Sequence, residues 1–423
     1  MTFERPKGMR DFSPQEKILR EKVIAVLKKN FEIFGFNPLE TPIVEKFETL
    51  ASKYAGGAEI LKETFQLEDQ GKRKLGLRYD LTVPFARYIS NNPNIKLPFK
   101  RYQIGPVFRD GPLRTNRYRQ FDQCDSDIVG TRSLTADAEC IFLFLSCFEE
   151  LGLDVEVRVN NRKILDEVMQ TLKIKEDLRA AIILTLDKLD KKSIREVEEE
   201  LASLRIDKSA SKELLKFFSL RGTNADVLKE TEKILGMSEG VKELKDLLSL
   251  CSSKDILFVP SLARGLSYYT GTIFEVYIKN SSVKNSIAAG GRYDQMIGNF
   301  LENNQEYPAV GCSFGLDVIC DALLEKEIKK KSVVLVYVIP VGLSLEKVWD
   351  FVLSLRKEGI CCDIDFNNRG ISKNLNYVNA YGIPYALIIG ENELKNKKFT
   401  LKNMVEGKEE KLDMKSIVKK LKN

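Results

Sequence analysis

Near the start of the chain, apolar residues recur at helical spacing at Ile18, Leu19, Val23, Leu27 and Phe31, which predicts an amphipathic helix. Ser13, Pro14 and Glu16 supply its cap, first turn and capping box, and Gly35 its stop. Phe36 to Glu45 is an extended stretch interrupted by Pro38 and Pro42, the pattern of an edge strand. Arg101–Phe108 and Tyr118–Val129 are β-type runs joined by a polar turn that contains Gly111 and Pro112, so they predict an antiparallel hairpin. An apolar helix follows over Ser133–Leu151, then a strand over Val155–Val159. From Ile164 to Ser252 the texture changes to charged amphipathic helices, with Ser193 and Glu196 forming a second capping box. Strands return at Ile256–Val259, and Pro308–Ile319 reads as a strand leading into a helix. Beyond the basic linker Lys326–Lys331, strands over Val333–Ile339, Ile360–Phe366 and Tyr385–Ile389 alternate with helices over Ser344–Glu358 and Ser372–Tyr381. That order predicts a small mixed or parallel sheet with helices on it. The expected class is α/β (α+β). One domain is built from residues 1–163 and 253–325, a helical insertion occupies 164–252, and 326–423 form a C-terminal module.

With 423 residues, 43% apolar and 30% charged, the chain has room for two or three ordinary globular domains. No run approaches the roughly 20 apolar residues of a membrane helix, and the first residues lack a signal-peptide core, so a cytoplasmic protein without a membrane partner is expected. The 8 cysteines include no C-x-x-C pair, which favours reduced, mostly buried thiols. The chain contains no histidine. Serine–histidine triads, cysteine–histidine pairs and histidine-based zinc sites or general bases are thereby excluded. Chemistry must run on carboxylates, arginines and metal, a restriction that phosphoryl and nucleotidyl transfer tolerate well. Net charge is +6, and it is uneven: residues 326–423 hold 17 Lys and 2 Arg against 12 acidic residues, a net +7. A basic module on a near-neutral body suggests a polyanionic partner.

Candidate chemistry concentrates on the hairpin, where Lys100, Arg101, Arg109, Arg114, Arg117 and Arg119 lie among aromatics. Guanidinium groups grip phosphate oxygens bidentately and do not titrate away, so Arg109 and Arg117 are credible phosphate clamps. Asp80 and Thr82 share a face on an extended segment and suit an ammonium ligand, or the cap of the helix that follows. Arg264 precedes Gly265, which permits close backbone approach, and Tyr268 and Tyr269 come next. The small residues Ala288, Ala289, Gly290 and Gly291 leave a flat floor for a ligand.

The order Phe108-Arg109, loop, Arg117-Tyr-Arg-Gln-Phe121, then Gln123 and Asp127, resembles the second signature motif of class II aminoacyl-tRNA synthetases in its histidyl-tRNA synthetase form. Pro6-Lys-Gly-Met-Arg-Asp-Phe12, Leu77-Arg-Tyr-Asp-Leu-Thr82, Leu262-Ala-Arg-Gly-Leu-Ser-Tyr-Tyr269 and Ala288-Ala-Gly-Gly-Arg-Tyr-Asp294 extend that likeness, in order, over essentially the whole chain. The resemblance implies an antiparallel catalytic sheet flanked by helices, a helical insertion leaning on the tRNA acceptor arm, a C-terminal α/β anticodon-binding domain and a homodimer. It implies L-histidine, ATP with Mg2+, and tRNA(His) as substrates, with no metal held by the protein. Histidine would be bound by Asp80, Thr82, Gln123, Asp127, Tyr268 and Tyr269, with the Asp127 carboxylate and the Tyr269 hydroxyl on the imidazole nitrogens. ATP would be bound by Arg109, Arg117, Phe121 and Arg264, with Arg109 and Arg264 stabilising charge at the α-phosphate. Leu77–Thr82 and Gln123-Cys-Asp-Ser-Asp127 are most similar to the archaeal and eukaryotic branch. Two positions depart from the family: Ser267 stands where aspartate is usual, and Val318 where the third motif carries an arginine. The rival reading is a non-catalytic, histidine-sensing relative, such as the regulatory subunit of ATP phosphoribosyltransferase that resembles this family.

Overall fold

The computed structural model describes residues 3–51, 61–112, 118–186, 193–204, 206–263, 268–301, 306–324 and 331–422. It forms two compact units, Met1–Arg10 with Val23–Ala322, and Asp11–Lys22 with Leu323–Asn423.

The N-terminal helix runs Pro14–Ile33. Its capping box is made as expected: the Ser13 N–H donates to Glu16 Oε2 at 2.8 Å, and the Glu16 N–H donates to Ser13 Oγ at 3.4 Å. Gly35 ends the segment at φ +78°, a conformation that costs glycine no Cβ clash.

The first unit is organised around an 8-stranded sheet. In chain order its strands are β1 (Asn37–Pro38), β5 (Phe99–Phe108), β6 (Gln120–Val129), β7 (Val155–Asn161), β8 (Ile256–Phe258), β9 (Thr272–Ile278), β10 (Ala288–Arg292) and β11 (Ala309–Gly315). Across the sheet they lie β1-β5-β6-β11-β10-β9-β7-β8, with β1/β5 and β7/β8 parallel and the other neighbours antiparallel. Proline-bearing β1 is an edge, where a missing N–H does least harm. A small sheet of β2 (Val44–Lys46), β3 (Gln66–Glu68) and β4 (Lys74–Leu77) lies in the same unit. The predicted hairpin is β5 and β6, in register from Phe99 opposite Val129 to Phe108 opposite Gln120.

That register sorts the hairpin's cations. Arg101 is fully buried, and Lys100 donates to the Phe34 carbonyl and pairs with Glu139. These cations serve the interior, while Arg109 stands at the loop end of the hairpin. Phe314 of β11 meets Phe31, Phe144 and Phe148 at ring-centroid separations of 5.6, 4.9 and 5.6 Å. Phe144 and Phe148 come from the helix Leu134–Glu150, capped by Ser133. Such aromatic clusters supply large buried area with little side-chain entropy to lose.

Between β7 and β8 the described chain is helical, over Arg162–Thr171, Glu176–Leu186, Ile194–Ser203, Lys208–Phe218, Asn224–Leu235 and Glu239–Leu250. The Ser193–Glu196 capping box is formed. In the second unit, β12 (Val336–Pro340), β13 (Cys362–Ile364) and β14 (Tyr385–Ile389) pair in parallel, with the helices Leu345–Lys357 and Ile371–Ala380 as crossovers. The antiparallel strands β15 (Phe399–Asn403) and β16 (Glu409–Leu412) extend that sheet beyond the predicted alternation. Charged residues hide the period there: Lys402 and Glu409 pair across the strands at 2.8 Å, and the last strand is solvent-facing. Among the described residues no helix is long and apolar enough to cross a membrane.

Candidate active site

A cavity of about 350 Å3 opens over the middle of the large sheet. Its floor follows from the period-2 alternation of strands. Gln123, Asp125 and Asp127 project from one face of β6, opposite Gly315, Ser313 and Gly311 of β11. Glycine at 311 is demanded by this packing, since a Cβ there would lie 2.0 Å from Asp127 Oδ1. A Cβ on Gly290 of β10 would lie 2.1 Å from the Gly311 carbonyl oxygen and 2.5 Å from the Phe274 ring. The double glycine therefore answers first to strand packing, and through it leaves the floor low.

Asp127 is held at both oxygens. The Tyr293 hydroxyl donates to Oδ1 at 2.5 Å, and the Arg101 guanidinium pairs with Oδ2 at 2.5 Å. Arg101 lies over the Phe85 ring at 4.2 Å. Asp125 is also buried, and its Oδ1 finds no hydrogen-bond partner among the described residues. Burial pushes its carboxyl up to about 7; Arg101 and the Ser313 hydroxyl pull it down, while Asp127 and Asp80 push it further up. Gln123 donates to Ser313 Oγ at 3.3 Å, and its Oε1 is likewise buried without a partner among the described residues. Asp80 accepts the Val83 N–H at 2.9 Å at the start of the helix Thr82–Ser90, so it caps that helix and lines the cavity together with Thr82. Burial raises its carboxyl too, opposed by the Val83 N–H and then by Arg109.

At the hairpin's loop end the Arg109 guanidinium lies between the Tyr79 ring, at 4.2 Å, and the Phe121 ring, at 4.8 Å. Arg109 and Phe121 both line the cavity. Tyr268 and Tyr269 line it from another side, with ring centroids 4.7 Å apart. The structure thus brings together Asp80, Thr82, Arg109, Phe121, Gln123, Asp127, Tyr268 and Tyr269. Arg114, Arg117, Arg264 and Ser267 lie outside the described residues. At the third-motif position, Asp317 beside Val318 pairs with Arg10, whose guanidinium lies 3.6 Å over the Tyr118 ring.

The sequence reading passed over Asp125 and Tyr293. Tyr293 was signalled by its place in the Gly290-Gly-Arg-Tyr-Asp294 motif, and Asp125 by the i, i+2, i+4 spacing of polar residues on a buried strand, where a polar face needs a purpose.

The histidyl-tRNA synthetase family model matches residues 8–319, and an anticodon binding domain model matches residues 335–423. The histidine–tRNA ligase 1 of Bacillus cereus is 42% identical over 99% of both chains. The histidine–tRNA ligase of the archaeon Aeropyrum pernix is 37% identical over 95% of this chain and 94% of its own. Among solved structures, the histidyl-tRNA synthetase from Nostoc superposes with a TM-score of 0.88 at 30% identity, covering 100% of this chain and 99% of that one. A likeness of that extent, over both units and at 42% identity, is shared descent of a whole architecture, and the chain belongs to the histidyl-tRNA synthetase family.

Proposed function

We propose that this protein is a histidine–tRNA ligase, which activates L-histidine with ATP and transfers it to the 3′ end of tRNA(His). The observation that carries the reading is the cavity floor. Buried acceptors at Gln123 Oε1 and Asp125 Oδ1, without donors among the described residues and beside Asp80 and Thr82, call for a ligand that brings hydrogen-bond donors and positive charge. An α-ammonium supplies both. The Asp127 carboxylate and the Tyr269 hydroxyl are the groups we assign to the imidazole nitrogens, a pairing that rejects apolar side chains because its own polar atoms would go unsatisfied.

ATP, entering with Mg2+ as its complex, would place its α-phosphate against Arg109, with Phe121 on the adenine. Arg264 and Arg117 are assigned by family likeness to the α-phosphate and the terminal phosphates. The histidine carboxylate attacks the α-phosphate and pyrophosphate leaves. The charge that builds on the phosphate meets a guanidinium already fixed between aromatic rings, so no reorganisation is needed in the transition state. The net +7 of residues 326–423 supports assigning that segment to the tRNA. A homodimer, a cytoplasmic location and an acceptor-arm role for the helices between β7 and β8 complete the proposal. Motifs at Leu77–Thr82 and Gln123–Asp127 suggest the archaeal and eukaryotic branch, whereas the bacterial relative named above is more similar, at 42% identity, than the archaeal one at 37%.

Histidine-dependent ATP–pyrophosphate exchange tests the reading. Exchange with histidine and with no other amino acid is the expected result. Histidine binding without exchange would move the protein to the regulatory rival, which the missing third-motif arginine at Val318 favours. A second expectation concerns Arg109. Phe121→Ala removes one ring of its sandwich and is expected to raise the KM for ATP roughly tenfold while leaving the KM for histidine unchanged. Equal effects on both would show that the ring shapes the whole cavity.

A further inference from the structure

The cavity holds more buried carboxyl groups than its described cations balance in a simple one-to-one pairing. Asp127 engages Arg101 directly. Asp80 is engaged by the Val83 N–H of its own helix. Asp125 stands between them on the floor, flanked by Gln123 and Asp127 on β6 and by Ser313 on β11, with an unpartnered oxygen buried among the described residues. The charged groups that face it are Arg101 on β5, Asp127 on β6, and Asp80 and Arg78 from the segment leading into the helix Thr82–Ser90. Arg78 is committed elsewhere, donating to the carbonyls of Pro106 and Thr41 at 2.8 Å.

We propose that Asp125 is a further amino-acid-binding residue, which is partly protonated in the empty cavity near neutral pH and gives up that proton to solvent when the substrate's ammonium enters, so that histidine uptake is linked to proton release. The inference rests on the functional reading above. The physical argument is one of charge. A carboxylate buried beside Asp127 and Asp80 is costly until a cation joins it, and the ammonium is that cation. On its arrival the O–H bond of Asp125 breaks, the proton leaves to buffer, and the carboxylate accepts an N–H from the ligand. Asp125 thereby selects for a protonated amine and sets how tightly the amino acid is held across neutral pH. With its carboxyl at about 7 in the empty protein, affinity rises as pH climbs toward 7, levels off above it, and falls once the ligand's own ammonium loses its proton. Ionised Asp125 is the binding-competent form, and more of it then exists in advance.

The test is titration calorimetry on the full-length protein in buffers of different ionisation enthalpy. The ligands are histidine and a triazole analogue whose ring takes up no proton in this range. Wild type is expected to release roughly half a proton at pH 7 with the triazole analogue, and almost none at pH 8, where Asp125 is already ionised and the ligand's ammonium still holds its proton. Asp125→Asn, which keeps size and loses the titrating group, is expected to bind with no release. A Ser313→Ala variant removes a hydroxyl that favours the carboxylate, and is expected to move the midpoint of release to higher pH. Equal proton counts in wild type and Asp125→Asn overturn the assignment. If Asp125→Asn fails to fold, an unmoved midpoint in Ser313→Ala overturns it instead. Failure of wild type to bind histidine at all would strike the functional reading itself and take this proposal with it; binding with an unchanged proton count strikes Asp125 alone.

Discussion

Asp127→Ala is expected to weaken histidine-dependent pyrophosphate exchange by roughly 2 kcal/mol or more, about thirtyfold, while ATP binding changes far less. The same change is expected to destabilise the fold by roughly 3–5 kcal/mol, because it strands a guanidinium in the interior. Arg101 is fully buried, pairs with Asp127 at 2.5 Å, and also meets the Leu81 carbonyl at 3.4 Å and the face of Phe85. Arginine cannot shed its proton to escape that position. Tyr293 loses the acceptor that fixes its hydroxyl at the same stroke. Denaturant unfolding followed beside exchange kinetics separates the two effects. A large loss of stability with an unaltered KM for histidine would make Asp127 a support for the sheet and remove it from the imidazole subsite. Asp127→Asn keeps the volume and one acceptor, and should fall between wild type and alanine on both measures.

The second large effect is expected at Arg292 and Asp137, which tie β10 to the first turn of the helix Leu134–Glu150. Arg292 pairs with Asp137, and also donates to the carbonyls of Thr131 at 3.0 Å and Ser133 at 3.3 Å. Asp137 is wholly buried. Removing one member of such a pair costs roughly 3–5 kcal/mol, whereas removing both for apolar residues of similar volume costs far less. The two single variants should differ in their response to pH. Asp137→Ala leaves the Arg292 guanidinium with Asp294, at 3.3 Å, as its remaining ion pair. Arg292→Met leaves a carboxyl whose ordinary range is already raised by burial, with Arg292 as the main opposing influence. Without Arg292 that carboxyl rises further and folds protonated. The unfolded chain then binds fewer protons than the folded one above the usual carboxylate range, so the contribution of Asp137 to the stability of Arg292→Met should be fully present below about pH 4 and be lost as pH rises toward 7. Urea unfolding at several pH values checks this; a flat profile would mean that water or another cation reaches Asp137 when Arg292 is gone.

Some of this architecture is written locally. The Ser13 and Ser193 capping boxes, the β5–β6 hairpin, the run of β11 into the helix Leu316–Leu324 and the β12–β14 alternation each depend on residues a few positions apart, and all are formed. Helix caps and strand periods act over that range, so the chain carries them without reference to the rest of the fold. Position along the family motifs likewise pointed to Asp80, Thr82, Gln123, Asp127, Tyr268 and Tyr269, and these line the cavity. What the motifs leave open is which charged residue faces a ligand and which faces the interior. Lys100, Arg101 and Arg109 look alike in the sequence, yet Arg101 is a buried counterion, Lys100 is tied to Glu139, and Arg109 stands between two rings in the cavity. That division is set by the register of β5 against β6, and of β6 against β11, between residues nearly two hundred positions apart in the case of Asp125 and Ser313. A register fixes the face of every side chain on a strand, and a face fixes whether a carboxylate is solvated, paired or left waiting for a cation. Asp125 was one more polar residue in a strand until the sheet closed around it.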